Sequence, residues 1–205
     1  MYKTYFRDTV IDGVGNWMWR ETDSGAWDGP SREWVQTHKE AYTKHCKKFD
    51  CVVQAGGNQG LYPRLFANIF KTVYTFEPDS YNFHCLVNNC QLDNIIKINA
   101  CLGNTNKLTK FTNDPNSQNC GTFTVVDDAG IVPMLTLDSF NLEQCDLIQL
   151  DVERYERNVL EGAVETIKKF KPVISCECGD GGFLEQFGYE TIETPGADLV
   201  YVCKN

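Results

Sequence analysis

The feature that most constrains the fold is an alternation of short apolar runs with amphipathic stretches, beginning near residue 50. The short runs predict buried strands, and the stretches between them carry apolar residues at helical spacing. Strands that alternate with helices form a parallel sheet, because each crossover helix covers one face. The sequence therefore predicts an α/β, Rossmann-like domain with a mostly parallel sheet and helices on both faces. The predicted strands are 51–53, 73–76, 95–100, 146–150, 172–178 and 198–203, and the predicted helices include one over 155–167.

Length and charge narrow the class of protein. The chain has 205 residues and a formal net charge of −9, which suits one acidic globular domain. An acidic surface repels phosphate backbones, so we do not expect a nucleic-acid partner. No apolar run reaches the ~20 residues of a membrane helix, and the N-terminus lacks a basic-then-apolar signal pattern. We expect a soluble, cytoplasmic protein with no membrane partner.

The first 31 residues differ from the remainder. They carry Trp17, Trp19 and Trp27, with Trp34 just beyond, and the glycines between them predict loop. We expect residues 1–31 to form a Trp-rich segment that serves as a lid or as an oligomer interface. Residues 32–205 are then one domain, with a polar insert near 104–130 that we interpret as a hairpin or flap.

The cysteines and histidines do not indicate a metal site. None of the ten cysteines forms a Cys-x-x-Cys pair. Cys51, Cys176, Cys178 and Cys203 lie in apolar, strand-like runs, where a thiol behaves as a small hydrophobe, so we expect reduced structural cysteines. His38 and His45 are separated by about 10 Å of helix rise, too far to share an ion.

A glycine-rich turn follows the first predicted strand of the alternation. It reads Gln54-Ala55-Gly56-Gly57-Asn58-Gln59-Gly60, and Glu77 follows the next strand. Glycines allow close approach of the backbone to a ligand, and an acid ~20 residues later suits two ribose hydroxyls. This pattern fits NAD as well as S-adenosylmethionine. A tight turn with a surface glutamate would also account for it.

The run from Cys51 to Glu177 resembles the FkbM family of S-adenosylmethionine-dependent O-methyltransferases. The matching motifs are Gln54 to Gly60, Phe76-Glu77-Pro78, Asn82 with Leu86 and Asn89, Thr136-Leu137-Asp138, Asp151-Val152-Glu153, Glu156 with Leu160-Glu161-Gly162-Ala163, and Pro172 to Glu177. The resemblance implies a class I methyltransferase fold, S-adenosylmethionine as cofactor, and methyl transfer to a hydroxyl of a saccharide or other small acceptor.

Two positions depart from the family pattern. Gln54 stands where the family has an acid, and Arg154 replaces the glycine after Asp-Val-Glu. Gln54 can bond a ligand or the turn's own backbone, but it carries no charge. These departures keep open a catalytically impaired module that only binds the cofactor. An NAD-dependent oxidoreductase is a further alternative, although it does not require the Asp-Val-Glu strand end.

The predicted site residues lie at strand ends, where ligands bind in such sheets. Asp151, Glu177 and Glu153 are the predicted catalytic carboxylates, because an alcohol acceptor needs a base or a metal; Asp151 and Glu177 are also the candidate ligands of a divalent metal. Glu153 and Glu156 could instead cap a helix, and Asn99 could form a turn. The predicted cofactor-binding residues are Gln54, Gly56, Asn58, Gly60, Glu77 and Asn99.

Overall fold

A computed structural model describes residues 2–6, 16–21, 23, 32–112, 117–126 and 128–204. In chain order the strands are β1 (Tyr2–Phe6), β2 (Asn16–Arg20), β3 (Cys51–Ala55), β4 (Thr72–Phe76), β5 (Ile95–Ile98), β6 (Cys101–Leu102), β7 (Lys107–Thr112), β8 (Thr124–Val126), β9 (Val132–Leu135), β10 (Leu147–Leu150), β11 (Val173–Glu177), β12 (Tyr189–Glu193) and β13 (Asp198–Cys203). The helices are α1 (Arg32–Thr43), α2 (Leu61–Ala67), α3 (Ser80–Asn89), α4 (Glu156–Glu161) and α5 (Val164–Phe170), with 3₁₀ turns at Leu137–Phe140 and Leu184–Phe187.

A seven-stranded sheet organises the molecule, in the order β12-β13-β11-β10-β3-β4-β5. Strands β5, β4, β3, β10 and β11 run parallel, whereas β13 and β12 are antiparallel to their neighbours. The predicted Rossmann-like α/β fold with a mostly parallel sheet is confirmed. The chain moves outward from β3 to β5 and returns to add β10 on the other side of β3. That reversal opens a crevice beyond the carboxyl ends of β3 and β10.

Both faces of the sheet are buried, as a parallel sheet requires. Successive residues of a strand point to opposite faces, so each strand contributes to two apolar clusters. Helices cover both clusters, which fixes the strand ends as a rigid platform. The fully or almost fully buried members include Val53, Ile148 and Ile174 on one face, and Val52, Leu147 and Val173 on the other.

The single helix predicted over 155–167 is wrong; the structure has α4 and α5 with a break between them. Any side chain at Gly162 would overlap the carbonyl oxygen of Gly103, and the Gly162 carbonyl accepts from the amide of Asp138 at 3.0 Å. The Asp138 carboxylate then accepts from the first-turn amides of α5. Tertiary contacts therefore divide a stretch whose apolar spacing alone favours one helix.

The segment around the predicted insert pairs into a second sheet, in the order β6-β9-β7-β8. Strands β7 and β8 are antiparallel, with Lys110 opposite Val126. This hairpin leans over the carboxyl end of the large sheet, where Phe123 and Val125 line a pocket. None of the helices that the structure describes is long and apolar enough to cross a bilayer.

All ten cysteines are free. The placement of Cys178 on an apolar strand is wrong, because β11 ends at Glu177 and Cys178 is exposed with a left-handed backbone, φ +58°. Cys176, two residues earlier, is fully buried in the strand. The chain turns out of the sheet between these two thiols.

Candidate active site

The glycine loop draws three strand ends together. The amides of Gly56 and Gly57 both donate to the carbonyl of Phe76, at 3.1 and 2.9 Å. Gly56 has φ +84°, and a side chain there would overlap the carbonyl oxygen of Asp151. Only glycine adopts this conformation at such a contact without strain. The loop after β3 therefore joins the ends of β4 and β10.

Glu77 is the buried carboxylate of this loop system. Its side chain is only 4% exposed, and its two oxygens accept from the amides of Asn58 at 2.7 Å and Asp79 at 2.8 Å. Burial raises the pKa of Glu77 to about 8, while the two backbone hydrogen bonds act in the opposite direction. Each carboxylate oxygen has a second lone pair, so Glu77 keeps acceptor capacity for a ligand.

A small pocket, with a cavity volume of about 40 Å³, opens at this end of the sheet. Its floor includes Gly56, Glu77 and Asp151, from three neighbouring strand ends, while Phe123 and Tyr155 contribute aromatic walls. Two predicted donor-binding residues, Gly56 and Glu77, therefore line the same cavity as the predicted catalytic residue Asp151, whereas Glu153 and Glu177 are not among its lining residues.

Three carboxylates converge beside this pocket. Because β10 and β11 pair with Leu150 opposite Cys176, Asp151 and Glu177 follow as neighbours. Each of these residues contributes one carboxylate oxygen that lies within 4.8 Å of the other two; they are Asp151, Glu153 and Glu177. Burial, then the charge of Glu177 and a hydrogen bond with it, raises the pKa of Asp151 well above its ordinary value. Such a group can share a proton or hold a divalent cation.

A fourth carboxylate, Asp198, was not identified from the sequence. It lies opposite Glu177 in the antiparallel pairing of β11 and β13, and it accepts a hydrogen bond from the hydroxyl of Tyr42. Burial raises the pKa of Asp198, whereas the Tyr42 hydrogen bond opposes the shift. The sequence signal for Asp198 was its position at the start of the last predicted strand. Only an antiparallel direction brings that start to the carboxyl end of its neighbour.

Gln54 and Asn99 do not line this pocket among the described residues. The fully buried Gln54 amide donates to the carbonyls of Ala55 and Gly56 and accepts from Thr75. It therefore bonds the turn's own backbone, one of the two uses expected of it. The Asn99 side-chain amide donates to the carbonyls of Glu77 at 2.8 Å and Pro78 at 3.2 Å, so it joins the ends of β5 and β4.

The backbone after β10 is unusual. Glu153 and Arg154 have φ +54° and +70°, both in the left-handed region. The family glycine at position 154 would adopt this conformation without a steric cost. Glu156, in the first turn of α4, accepts from the amide of Val152 at 3.3 Å and so joins the loop after β10 to the start of that helix. Asn58 and Gly60 also have positive φ, of 44° and 100°.

The N-terminal segment docks on this end of the domain. Trp17 is buried, with the guanidinium of Arg64 over its ring at 4.5 Å. Trp19 donates its indole N–H to Asp23 at 2.6 Å. Trp27 and the side chain of Trp34 lie outside the described residues. The lid and the oligomer interface both stay predictions, as does the boundary at residue 31.

The chain matches known proteins in fold and family. The FkbM methyltransferase domain matches residues 52–194. Methyltransferase FkbM from Methylobacillus flagellatus KT is similar in structure, with 17% identity and a TM-score of 0.52, over 75% of this chain and 43% of that one. The chain thus spans less than half the length of that relative. No curated protein matches in sequence.

Two further solved structures show similarity to this chain. Precorrin 8W decarboxylase from Methanobacterium thermoautotrophicum has 13% identity and a TM-score of 0.50, over 86% of this chain and 92% of that one. An rRNA methylase from Streptococcus thermophilus has 8% identity and a TM-score of 0.46, over 83% and 96%. At 13% identity the similarity to the decarboxylase indicates a common fold and nothing about substrates. Since the family match covers well over half of the chain, the resemblance drawn from the sequence is confirmed: the chain belongs to the FkbM methyltransferase domain family.

Proposed function

We propose that the chain binds S-adenosylmethionine and transfers its methyl group to an oxygen of a saccharide or another small hydroxylated acceptor. The observation that carries the proposal is one pocket whose floor holds both Glu77 and Asp151. Glu77 is the acceptor expected for two ribose hydroxyls, and Asp151 belongs to the carboxylate cluster expected to handle the acceptor's proton.

The residues at the donor end of the pocket suit an adenosine-containing cofactor. Gly56 leaves the end of β3 without a side chain at the pocket floor. Glu77 is fixed in orientation by the amides of Asn58 and Asp79, so its remaining lone pairs are preorganised to accept from hydroxyls. When bound, S-adenosylmethionine supplies a methyl group already activated for transfer by its sulfonium.

The acceptor half must orient a hydroxyl and remove its proton. Asp151 and Glu177 suit this role, because two close carboxylates raise the proton affinity of the pair. The acceptor oxygen would form the new bond to the methyl carbon as the bond from that carbon to the donor sulfur breaks, its electron pair returning to the sulfur, and the acceptor's proton would pass to this pair. Positioning contributes much of the rate, since the methyl group arrives activated. Asp151, Glu177 and Glu153 are therefore the proposed catalytic residues.

The same carboxylates could hold a divalent cation. Oxygen ligands from Asp151, Glu153 and Glu177 suit Mg²⁺ or Mn²⁺. A cation there would lower the pKa of a bound alcohol, so the carboxylates would act as ligands rather than as the base. The two mechanisms use one cluster and differ in their response to a chelator.

The second candidate is a domain that binds the cofactor without turnover. Two observations favour it: Gln54 offers no negative charge and turns its amide toward the backbone, and Arg154 occupies a strained position beside Glu153. This candidate shares the donor site with the first. Cofactor binding therefore tests what both have in common, and turnover separates them.

The binding experiment compares S-adenosylhomocysteine with NAD by thermal unfolding. At about a hundred times its dissociation constant, the thioether should add roughly 2.7 kcal/mol to the free energy of unfolding. The expected melting shift is on the order of 5–10 °C for a chain of this size. NAD should produce no shift. Stabilisation by NAD and not by S-adenosylhomocysteine would contradict the proposal.

A further inference from the structure

The described residues 17–21 and 23, here called the N-terminal strap, contact the glycine loop directly. The amide of Arg20 donates to the side-chain oxygen of Gln59 at 2.7 Å, and the side-chain nitrogen of Gln59 donates to Asp23 at 2.6 Å. Gln59 is 1% exposed and directly follows Asn58, whose amide bonds Glu77. The strap therefore fixes one of the two loops that orient Glu77.

The strap also fixes the second of these loops. Nη1 of Arg20 donates to the carboxylate of Asp79 at 3.0 Å and to the side-chain oxygen of Asn82 at 3.1 Å. Asp79 in turn caps α3 through its carboxylate and donates its own amide to Glu77. The Arg20 guanidinium lies over the rings of Tyr81 and Phe123, at 5.4 and 6.0 Å.

The insert completes this arrangement. The amide of Cys120 donates to Asp23 at 3.2 Å, and the Cys120 carbonyl accepts from the side chain of Asn82 at 2.7 Å. The next residue, Gly121, lines the pocket. The family-motif Asn89 bonds both the amide and the carbonyl of Met18. The strap thus joins the glycine loop, α3 and the pocket roof.

Burial makes these contacts consequential. Asp23, Gln59, Asp79 and Asn82 are all at most 7% exposed, and a buried polar group that loses its partner costs more than a typical hydrogen bond gains. The strap supplies partners to groups on both loops that hold the Glu77 carboxylate. A ligand that needs this carboxylate in one orientation is bound better when the strap is docked.

We infer that Arg20 is a positioning residue of the nucleoside site: it acts through Asp79 to orient Glu77, so strap docking and recognition of ribose hydroxyls are coupled. The inference rests on the proposed function, because it takes Glu77 as the ribose acceptor. It adds a residue outside the matched family region 52–194.

The experiment measures calorimetric affinities of adenosine and 2′,3′-dideoxyadenosine, which differ only in the ribose hydroxyls. Wild type should bind adenosine at least about tenfold tighter than the dideoxy ligand, the size of one hydrogen bond to a charged group. Arg20→Met should lose most of that preference, while its affinity for the dideoxy ligand changes little. A purely structural loss would weaken both ligands equally and leave the preference intact.

Two further variants complete the design. Arg157→Met is the matched control, because Arg157 also pairs with a carboxylate, that of Glu161, and its guanidinium also lies over an aromatic ring, that of Phe183. This variant should keep the wild-type preference for adenosine. Arg20→Lys keeps a cation for Asp79 and should restore part of it. The inference is overturned if Arg20→Met keeps the full preference, or if Arg20→Lys, folded, is no better than Arg20→Met. A wild type that binds neither nucleoside nor S-adenosylhomocysteine overturns the proposed function itself.

Discussion

Glu77 and Asp151 line the same pocket, but their surroundings differ. Both oxygens of Glu77 accept backbone amides, so its hydrogen bonds are in place before any ligand arrives. Asp151 and Glu177 have each other as partners, with Glu153 close by and Asp198 opposite Glu177 in the sheet. Backbone donors hold Glu77, whereas Asp151 and Glu177 are held next to a like charge.

This difference assigns different chemistry to the two regions. A carboxylate fixed by amides is a preorganised acceptor, which suits binding. Carboxylates crowded together gain free energy when a proton or a cation joins them, which suits proton removal or metal binding. The comparison therefore predicts that changes on the Glu77 side alter affinity and that changes on the Asp151 side alter turnover.

The largest expected effect is that of Asp151→Asn on turnover. An amide cannot take the acceptor's proton and is a weaker metal ligand, so we expect kcat to fall about 100- to 10,000-fold. Affinity for S-adenosylhomocysteine should stay within about threefold of wild type, because Glu77 is untouched. Steady-state kinetics and calorimetry on the same preparation measure both quantities.

The control for this variant is Asp93→Asn, which removes an exposed carboxylate remote from the pocket lining. It should change neither quantity. A chelator then separates the two mechanisms in wild type, since only the metal-dependent one loses activity and regains it with Mg²⁺ or Mn²⁺. If Asp151→Asn loses cofactor affinity instead, the proposed division between the two regions is wrong.

The next effect concerns the point where the two regions touch. A methyl group at position 56 would overlap the carbonyl oxygen of Asp151, and alanine is disfavoured at φ +84°. We expect Gly56→Ala to lower the free energy of unfolding by about 3 kcal/mol, from overpacking and backbone strain together. Urea denaturation measures this loss. Gly181→Ala is the control, with φ +64° and nothing near its Cβ, so it should lose only the strain component.

A smaller effect is expected from Glu77→Gln. Glutamine can accept from only one of the two amides that bond Glu77, and only one of its two terminal atoms can accept from a ribose hydroxyl. We expect S-adenosylhomocysteine binding to weaken by about 1.5–3 kcal/mol. The kcat at saturating donor should change far less than in Asp151→Asn. Unchanged affinity by calorimetry would return Glu77 to a structural role in the turn.

Sequence reasoning was strongest where local pattern and topology coincide. The Gly56-to-Gly60 turn, Glu77 and Asp151 each follow a short buried run, so the rule that parallel strands end at one edge was enough to group them. The pairing of β10 with β11 was also implied by the order of the chain. For these residues a short motif predicts the position in the chain, and the fold predicts that they lie close together.

Other features depend on contacts that no local pattern encodes. Asp198 joined the carboxylates only because β13 runs antiparallel to β11, and a strand's direction is not written in its apolar run. The break between α4 and α5 depends on Gly162 meeting Gly103. The strap contacts of Arg20 and Asp23 span 36 to 97 residues of sequence, so spacing could not reveal them.

The smallest predicted effect tests whether the Asp151 side also contains backbone strain. Arg154 is exposed with φ +70°, where a non-glycine residue costs about 1–2 kcal/mol. Glycine relieves this strain, but its greater conformational freedom in the unfolded chain cancels part of the gain in stability. We expect Arg154→Gly to raise the free energy of unfolding by about 0.5–1 kcal/mol in urea denaturation.

The matched control is Arg157→Gly within α4, which should lower the free energy of unfolding by about 1 kcal/mol, because a helix disfavours glycine. Burial and then the charge of Glu177 raise the pKa of Glu153, and the Arg154 cation opposes that rise, so removal of the cation should also favour protonation of Glu153. A variant less stable than wild type would show that this charge, rather than the backbone, sets the contribution of Arg154 beside the carboxylate cluster.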